Sequence, residues 1–397
     1  MNNQNFSILI NSLAEGGAEK VVATLIPEFK QQGLDVPLIC MEQNDVQKIE
    51  SAQITYLSKQ TGMDETFFKK FISLFTFARQ LKKHIKANQV RLVQSHIYRA
   101  NYVNVLAKLM GAGHKVQLVN HGIPEQYLKG GFSGSINRLL IRLLYPCADQ
   151  VICPSMSMLD SLQAMGVSKG KLNHITNPVD VTKVRKMGAL AISNEFFEFD
   201  SNKRYAISIG RLEPVKCTSD IVEAFATVTE VCPELELIIL GSGSQREQLL
   251  KQIEQMGINE RVHLFGHVDN PYQYLARCEL FISASENEGF SLVIVEALAL
   301  AVPVISTDCT GGPRDILAPG KPLLVPPGKG KIGQANYGVF FHAHDVTGLV
   351  RAMTTLLSDE ELRAHYAEQG KLRSRDYDKV RTAGQYLYST YKLMDAA

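Results

Sequence analysis

The sequence lacks the marks of several protein classes. Its seven cysteines are scattered and form no C-x-x-C pair, which argues against a disulfide framework or a zinc site. No stretch approaches the roughly 18 uninterrupted apolar residues of a transmembrane helix. The polar first five residues give no basic region followed by an apolar run, so we expect no signal peptide. These absences predict a protein of the reducing cytoplasm.

Charge is nearly balanced over the whole chain but not along it. The formal net charge is +2, yet residues 1–180 carry 19 Lys and Arg against 13 Asp and Glu, and the remainder carries 23 against 27. A basic N-terminal half indicates an anionic neighbour there, although the halves of ordinary proteins often differ by several charges. We expect no nucleic-acid partner.

Short apolar runs alternate with amphipathic segments along both halves of the chain, which predicts an α/β protein with parallel sheets covered on both faces. A chain of 397 residues suits two domains better than one. The predicted strands are Phe6–Ile10, Val36–Cys40, Ile54–Leu57, Arg91–Gln94, Lys115–Val119, Gln150–Cys153, Tyr205–Ile209, Leu235–Leu240, Val262–Phe265, Leu280–Ser283 and Val302–Ser306.

The domain boundary is predicted after the turn Asn177-Pro178-Val179-Asp180, in a polar stretch that ends near Lys203. We expect an N-terminal domain over 1–180 and a C-terminal domain over 200–375. A terminal helix over 376–397 is expected to pack back on the N-terminal domain. Two consecutive doubly wound domains predict a ligand cleft between the carboxyl ends of their sheets.

The most informative segment runs from Ser285 to Ala297, between an apolar strand and an apolar helix. Glu288 is expected in the loop at the strand's carboxyl end, and Glu296 about two turns into the helix. Gly289 lets the backbone pass close to a ligand, and the first helical N–H groups, at Phe290, Ser291 and Leu292, favour an anion. The alternative is a capping glutamate and a surface glutamate, but the full context favours a site.

This E-x7-E element resembles that of the retaining glycosyltransferases of family 4, which have the GT-B fold of two Rossmann-like domains facing a central cleft. The resemblance covers nearly the whole chain. It implies that Glu288 contacts the donor sugar and that Glu296 holds the ribose hydroxyls of a nucleoside-diphosphate sugar.

A basic turn follows the strand that ends at Ile209. Arg211 and Lys216 lie on it, and two cations there can neutralise a diphosphate leaving group without a metal. The alternative is a solvated basic turn. The family pattern G-R-L-x-x-x-K-G matches both cations, but Cys217 stands where the family usually has glycine.

Two elements of the N-terminal half are further candidates. The Gly16-Gly17 turn after the first strand can offer N–H groups to a phosphate, and the family resemblance implies that it lines the cleft. His121 and His96 end consecutive strands, so both are expected to face the cleft, although a lone histidine more often has a structural role. The resemblance implies that His121 contacts the donor sugar and is needed for transfer.

Three glycine or acidic turns complete the pattern. The Gly241-Ser242-Gly243 turn and the Thr310-Gly311-Gly312-Pro313 turn resemble cleft-lining turns of the family and are predicted to bind substrate only in support. Asp376-Tyr377-Asp378 is the sole D-x-D and precedes the final helix. We interpret it as capping chemistry, so no metal site and no cofactor are expected.

The segment 66–91 contains seven Lys and Arg and no Asp or Glu, and large apolar residues lie between the basic ones: Phe67, Phe68, Phe71, Ile72, Leu74, Phe75, Phe77 and Leu81. That composition is typical of an interfacial amphipathic helix, although a core-packed helix with a wet basic face has it too. We hypothesise that the segment rests on an anionic membrane, which would place the enzyme at the inner face of the cytoplasmic membrane.

The sequence therefore predicts a metal-independent, retaining hexosyltransferase. It would move a hexose or an N-acetylhexosamine from a nucleotide sugar, with UDP favoured, to a lipid-linked or polysaccharide acceptor of the cell envelope. Two alternatives stay open: a non-hydrolysing sugar-nucleotide epimerase, for which no acid/base carboxylate set can be placed, and a non-catalytic sugar-nucleotide-binding subunit.

Overall fold

The computed structural model describes residues 6–14, 16–44, 49, 53–58, 67–123, 131–192, 197–320, 325–326 and 328–396. The strands are β1 Phe6–Ile10, β2 Leu38–Cys40, β3 Ile54–Tyr56, β4 Leu92–His96, β5 Lys115–Val119, β6 Gln150–Cys153, β7 Leu172–His174, β8 Arg204–Ile209, β9 Leu235–Leu240, β10 Val262–Gly266, β11 Leu280–Ser283, β12 Asn287–Glu288, β13 Val304–Thr307, β14 Thr310–Gly311, β15 Ile332–Gln334 and β16 Val339–Phe341. The helices are α1 Gly17–Gln31, α2 Phe67–Ala87, α3 Tyr98–Leu109, α4 Gly131–Leu144, α5 Met156–Ala164, α6 Val181–Gly188, α7 Thr218–Val228, α8 Arg246–Gln255, α9 Tyr272–Leu275, α10 Leu292–Ala299, α11 Gly312–Leu317, α12 Val346–Ser358, α13 Glu360–Arg373 and α14 Lys379–Asp395.

The chain divides into two compact units. One comprises Met1–Val179 together with Lys379–Ala397, and the other comprises Asp180–Asp378. Each unit has its own hydrophobic core, centred on one sheet and the helices against it. The final helix α14 therefore belongs to the N-terminal unit although it ends the chain.

The N-terminal unit is built on a seven-stranded sheet in the order β3-β2-β1-β4-β5-β6-β7. Every strand pair in it is parallel. The central strands β1 and β4 are buried along their whole length, as parallel strands covered on both faces must be. The strand order reverses between β1 and β4, and such a switch point opens a crevice at the carboxyl ends.

Helix α14 is held on the N-terminal unit by polar contacts. Lys379 Nζ lies 3.7 Å from Glu28 Oε2 of α1. Ser389 Oγ donates to Gln150 Oε1 over 2.7 Å, and Thr390 Oγ1 donates to Gln117 Oε1 over 3.1 Å. These bonds supply partners for polar groups in the interior of the sheet, where an unpaired group would be costly.

The C-terminal unit has the same plan. Its seven-stranded sheet runs β10-β9-β8-β11-β13-β16-β15, and all pairs are parallel except β15 with β16. The switch point here lies between β8 and β11. A separate parallel pair, β12 with β14, joins the loop after β11 to the loop after β13, so both loops are fixed above the same sheet edge.

The predicted fold class, two doubly wound Rossmann-like units, is confirmed by this topology. The sequence analysis missed β7, β15 and β16, which have three residues each, and the two-residue strands β12 and β14. It also predicted a linker where α6 forms. Asp180 caps that helix by accepting from the Lys183 N–H over 2.9 Å, and Val181 and Val184 bury one face.

Candidate functional site

A small pocket lies over the switch point of the C-terminal unit. The loop after β8 supplies Gly210, Arg211 and Lys216, and the loop after β11 supplies Ser285 and Glu288. Both loops start at the carboxyl ends of adjacent parallel strands, which is why they meet. The structure thus brings together three of the predicted catalytic residues: Arg211, Lys216 and Glu288.

Lys216 and Glu288 form a close ion pair in this pocket. The Lys216 Nζ to Glu288 Oε1 distance is 2.5 Å, and each side chain is largely buried. Ser285 Oγ donates to the same carboxylate oxygen over 2.8 Å. The Glu286 N–H donates to the carbonyl oxygen of Val215 over 2.9 Å, so backbone contacts also tie the two loops. Arg211 is exposed at the pocket mouth.

Glycines keep the neighbouring turns close to the pocket backbone. A Cβ on Gly241, which has a φ of 144°, would lie 1.8 Å from the carbonyl oxygen of Gly210. A Cβ on Gly312 would lie 2.2 Å from the carbonyl oxygen of Phe290. Only glycine fits such approaches, so both predicted supporting turns have a strict packing role beside the site.

The start of α10 differs from the expectation in detail. Phe290 is buried against the ring of Tyr377, at 5.5 Å between centroids, so its side chain packs and only its backbone is available. Ser291 occupies the N-cap position of α10 with a φ of 72° but makes no side-chain capping bond, and its buried Oγ has no hydrogen-bond partner within the described residues. Gly289 and Leu292 are half-buried on either side.

Glu296 lies deeper than its partner in the E-x7-E element. It is 4% exposed, and the Tyr272 hydroxyl donates to its Oε1 over 3.3 Å. Glu296 is absent from the lining of the pocket that holds Glu288 and Lys216. The two glutamates of the sequence motif therefore lie on different elements, Glu288 on β12 and Glu296 on α10, and in different surroundings.

Cys217 stands at the position where the family usually has glycine. Its φ and ψ are 48° and 40°, a left-handed conformation that glycine adopts without strain. Its buried Sγ lies 3.5 Å from the carbonyl oxygen of Pro214, within the same turn. The departure from the pattern therefore leaves Lys216 in position.

The glycine turn of the N-terminal unit opens α1 at the β1–β4 switch point. Gly16 precedes the helix and Gly17 starts it. A Cβ on Gly16 would lie 2.2 Å from Glu19 Oε2, so the Glu19 carboxylate covers this turn. The turn lies at the same edge of the sheet as His96, the last residue of the neighbouring strand β4.

His96 and His121 are in direct contact. Their Nδ1 and Nε2 atoms lie 2.9 Å apart, and the rings stack at 5.2 Å. The other nitrogen of His96, Nε2, lies 3.1 Å from Gln94 Oε1. Gln94 Nε2 in turn donates to Gln117 Oε1, and Gln117 Nε2 donates to Gln150 Oε1, each over 2.6 Å.

The three hydrogen-bonded glutamines, Gln94, Gln117 and Gln150, form an amide relay that fixes which ring nitrogens of His96 and His121 carry protons. Gln94 Oε1 can only accept, so His96 Nε2 must donate to it. A neutral His96 then accepts at Nδ1 from His121 Nε2. The Nδ1 atom of His121 is left without a proton and can accept a hydrogen bond from a hydroxyl. Burial lowers the pKa of both imidazoles well below the usual value, so both stay neutral at neutral pH.

Backbone strain accompanies this pair. Ile97, which follows His96, has a φ of 73°, and a β-branched residue rarely adopts that conformation. The strain marks the end of β4 as a specified position. The sequence analysis did not find the amide relay, because Gln94, Gln117 and Gln150 lie on three separate strands.

Helix α2 accounts for most of the segment 66–91. Most of its apolar side chains pack into the core, among them Leu74, Phe77 and Leu81. Ile72 and Phe75 are exposed instead and share their face with the basic side chains Arg79, Lys83 and Lys86. Thr66 and the side chains of Phe67, Phe68 and Lys70 lie outside the described residues.

A second surface of this kind was missed by the sequence analysis. Helix α4 exposes Leu139 and Leu143 beside the exposed Arg138 and Arg142. The four residues follow the i, i+3, i+4 spacing of one helix face, which could have been found from the sequence. No helix in the described part of the chain is long and apolar enough to cross a bilayer.

The D-x-D acids stand apart from the pocket. Asp376 pairs with Arg373, with 2.8 Å between Oδ2 and the guanidinium NH1, and Asp378 directly precedes α14. Both positions fit helix-end chemistry.

Two parallel-sheet units, with a Lys–Glu pair at the switch point of the second, define a GT-B transferase architecture. Two family models match the chain: "Glycosyltransferase Family 4" over residues 15–183 and "Glycosyl transferases group 1" over residues 192–373. The chain belongs to family 4 of the glycosyltransferases and is a hexosyltransferase.

Relatives and solved structures agree with this family. An N-acetylgalactosaminyltransferase of Campylobacter jejuni, whose full name includes a diphospho-undecaprenol-linked acceptor, is 30% identical over 96% of this chain and 97% of its own. A lipopolysaccharide 1,6-galactosyltransferase of Salmonella typhimurium is 23% identical over 77% of this chain and 80% of its own.

Among solved structures, Anabaena HepE in complex with UDP superposes with a TM-score of 0.76 at 18% identity, covering 98% of this chain and all of that one. Sucrose-phosphate synthase of Thermosynechococcus elongatus gives a TM-score of 0.80 at 18% identity, with 99% of this chain and all of that one covered. These likenesses support the fold. Neither the epimerase nor the non-catalytic subunit is favoured.

Proposed function

We propose that the protein transfers a hexose or N-acetylhexosamine from a UDP-sugar to a lipid-linked or glycan acceptor, with retention of the anomeric configuration. The observation that carries this proposal is the Lys216–Glu288 pair, which lines one pocket together with the exposed Arg211. The name of the Campylobacter relative supports a diphospho-undecaprenol-linked acceptor. The UDP bound to HepE supports UDP as the nucleotide.

The donor diphosphate would be held by cations of the protein and by the start of α10. Arg211 offers a planar fork of donors to phosphate oxygens, and Lys216 offers a point charge. Negative charge grows on the leaving phosphate as the glycosidic bond breaks, and preorganised cations lower the free energy of that transition state. Transfer therefore requires no metal.

Glu288 would bind and orient the donor sugar. Its carboxylate is held by Lys216 and Ser285, so its orientation is set before the sugar binds. When the diphosphate engages Lys216, the carboxylate can accept hydrogen bonds from sugar hydroxyls. We assign Glu296, with its Tyr272 contact, to the ribose hydroxyls.

His121 would accept a hydrogen bond from a substrate hydroxyl at Nδ1. The relay through His96 and Gln94 keeps that nitrogen unprotonated. A neutral imidazole with a fixed tautomer is a directional acceptor and does not repel the cations that bind the diphosphate.

The N-terminal unit, which we expect to bind the acceptor, would lie on an anionic membrane. The exposed face of α2 carries Phe75 and Lys83, and that of α4 carries Leu139 and Arg142. Apolar side chains that enter the headgroup layer, flanked by basic ones, bind anionic lipid surfaces. Lys82 is unsuited to a test of this face because its Nζ donates to the Met110 carbonyl oxygen over 2.6 Å.

A vesicle sedimentation assay tests that surface. The Lys83→Glu/Lys86→Glu variant is expected to lose binding to vesicles that contain phosphatidylglycerol. The matched control is Lys251→Glu, an exposed lysine on α8 of the other unit. Equal vesicle binding by the wild type and both variants would reject membrane contact through α2. It would not bear on the proposed sugar transfer.

Release of UDP from a panel of UDP-sugars tests the activity, with and without a membrane lipid extract. Lipid-stimulated release is expected from the wild type and not from Glu288→Gln. The α or β configuration of the product, read from its proton NMR coupling, tests retention. Absence of release from every donor, while UDP still binds, would reject the proposed transfer from UDP-sugars.

A further inference from the structure

Three metal-ligating side chains meet beside the pocket but outside the groups assigned to transfer. Cys217 follows the turn after β8, Glu286 lies in the loop after β11, and His344 follows β16. Their ligand atoms, a thiol sulfur, a carboxylate oxygen and an imidazole nitrogen, all lie within 4.8 Å of one another. The ligands of a tetrahedral zinc ion lie about 3.5 Å apart, so small side-chain rotations close the set.

We propose that Cys217, Glu286 and His344 form a binding site for a divalent transition metal of the zinc class. A thiolate, an imidazole and a carboxylate are ligands that zinc accepts, and three protein ligands leave a fourth position for water. Thiolate and imidazole select against magnesium and calcium, which prefer oxygen.

A fourth residue orients the histidine. Asp220 Oδ2 lies 3.2 Å from His344 Nδ1, while His344 Nε2 points to Glu286 Oε1 at 2.7 Å. The Nδ1–H donated to a carboxylate leaves Nε2 as the ligating nitrogen. This carboxylate–histidine arrangement is the one that metal sites use to fix the imidazole and raise its basicity.

Backbone conformation gives a second, independent indication. Cys217 has a φ of 48° and His344 has a φ of 61°, and side chains other than glycine or asparagine adopt this region at a cost in free energy. Two strained residues from separate loops therefore present a thiol and an imidazole to one point. Strain that is retained at a cluster of reactive side chains indicates a function for the cluster.

A bound ion would join three loops at the edge of the C-terminal sheet. Cys217 is adjacent to Lys216, and Glu286 is two residues before Glu288, yet neither Lys216 nor Glu288 is a ligand. The ion therefore stands outside the transfer step and fixes the loops from which the Lys216–Glu288 pair arises.

Titration of the metal-free, full-length protein with Co²⁺ tests the site, because cobalt bound to a thiolate gives a charge-transfer absorption band. We expect that band at one equivalent, and its displacement by Zn²⁺. The band should disappear in Cys217→Gly, and Co²⁺ affinity should fall at least tenfold in His344→Asn. Glycine and asparagine both tolerate a positive φ, so these changes spare the backbone.

Asp220→Asn should weaken Co²⁺ binding by about 10- to 100-fold while the band persists, since only the orienting residue changes. The controls are Cys147→Ser, a half-buried cysteine on the other unit, and His267→Asn, an exposed histidine. An unchanged band in Cys217→Gly, or an equal loss in the controls, would overturn the proposal. Neither result depends on transferase activity.

Discussion

Lys216 Nζ lies 2.5 Å from Glu288 Oε1, although the two residues are 72 positions apart in the sequence. The pair joins the loops after β8 and β11, the adjacent strands at which the order of the C-terminal sheet reverses. In the proposed mechanism, the lysine that binds the diphosphate and the carboxylate that binds the sugar are thereby held together before any substrate arrives, so little reorganisation remains for the reaction itself.

Replacing Glu288 by glutamine should abolish most of the activity. The amide keeps the size of the side chain but loses the charge that Lys216 and the developing transition state require. We expect kcat to fall by about 100- to 1,000-fold, the range found for removal of one electrostatic contact. The measurement is steady-state sugar transfer, with Glu223→Gln, an exposed glutamate on α7, as the control that should keep wild-type rates.

Lys216→Met should affect both donor binding and turnover. The substitution removes the ammonium group and leaves Glu288 with an uncompensated negative charge where the diphosphate should bind. We expect a higher KM for the UDP-sugar and a lower kcat. The double variant Lys216→Met/Glu288→Gln should lose less than the sum of the single losses in free energy. Additive losses would show that the two residues act separately.

Much of the fold was predictable from the sequence because it rests on pattern. Buried parallel strands such as β1 and β9 are continuous apolar runs, and their alternation with helices sets the architecture. The strand β4 was less obvious, since Gln94, Ser95 and His96 are polar and yet buried. Hydrogen bonds to distant residues make that burial tolerable, and no local pattern shows them.

The amide relay predicts that Gln94 is a positioning residue, which acts on His121 through His96. Gln94→Met retains the volume but removes the acceptor of His96 Nε2, so the tautomer of His121 is no longer fixed. We expect kcat to fall by about tenfold, with little change in KM for the donor. The nitrogen chemical shifts of His121 should change from one tautomer to a mixture. Gln163→Met, on the surface of α5, serves as the control.

A buried histidine makes stability depend on pH. Burial and the nearby Lys108 lower the pKa of His114 to about 4, from 6.5 for the free side chain. As pH falls below about 6.5, the unfolded state binds this proton first, so stability is lost between pH 6.5 and 4. The loss from this group is about 3 kcal/mol at most.

Urea unfolding at pH 7.0 and pH 4.5 measures this effect. The drop in the unfolding midpoint should be smaller in His114→Gln, which cannot titrate. The exposed His267→Asn variant should show the wild-type drop. An equal drop in all three proteins would contradict the assignment to His114.

Gly241→Ala should disturb the pocket from outside it. A methyl group at this position would overlap the carbonyl oxygen of Gly210, and alanine is strained at a φ of 144°. We expect a lower unfolding temperature and a raised KM for the donor, since the turn after β8 must shift. The control is Gly170→Ala, because a Cβ at that position has no neighbouring atom within 4 Å. Its unfolding temperature, measured by calorimetry, should equal that of the wild type.

The candidate site was only partly predictable. Arg211, Lys216 and Glu288 follow motif spacing at strand ends, and the family resemblance marks them. The deep placement of Glu296 against Tyr272, and the approach of His344 to Cys217, depend on tertiary packing between elements more than 20 residues apart. Such contacts leave no periodic trace in one sequence.

The most direct test of the central claim is the mass of the acceptor after reaction with a UDP-sugar without added Mg²⁺. The wild type should add one hexose or N-acetylhexosamine unit to a lipid-linked acceptor, and Glu288→Gln should add none while Glu223→Gln behaves as the wild type. Transfer by Glu288→Gln at the wild-type rate, or transfer that occurs only with added Mg²⁺, would contradict the account of a site in which Lys216 and Glu288 act without a catalytic metal.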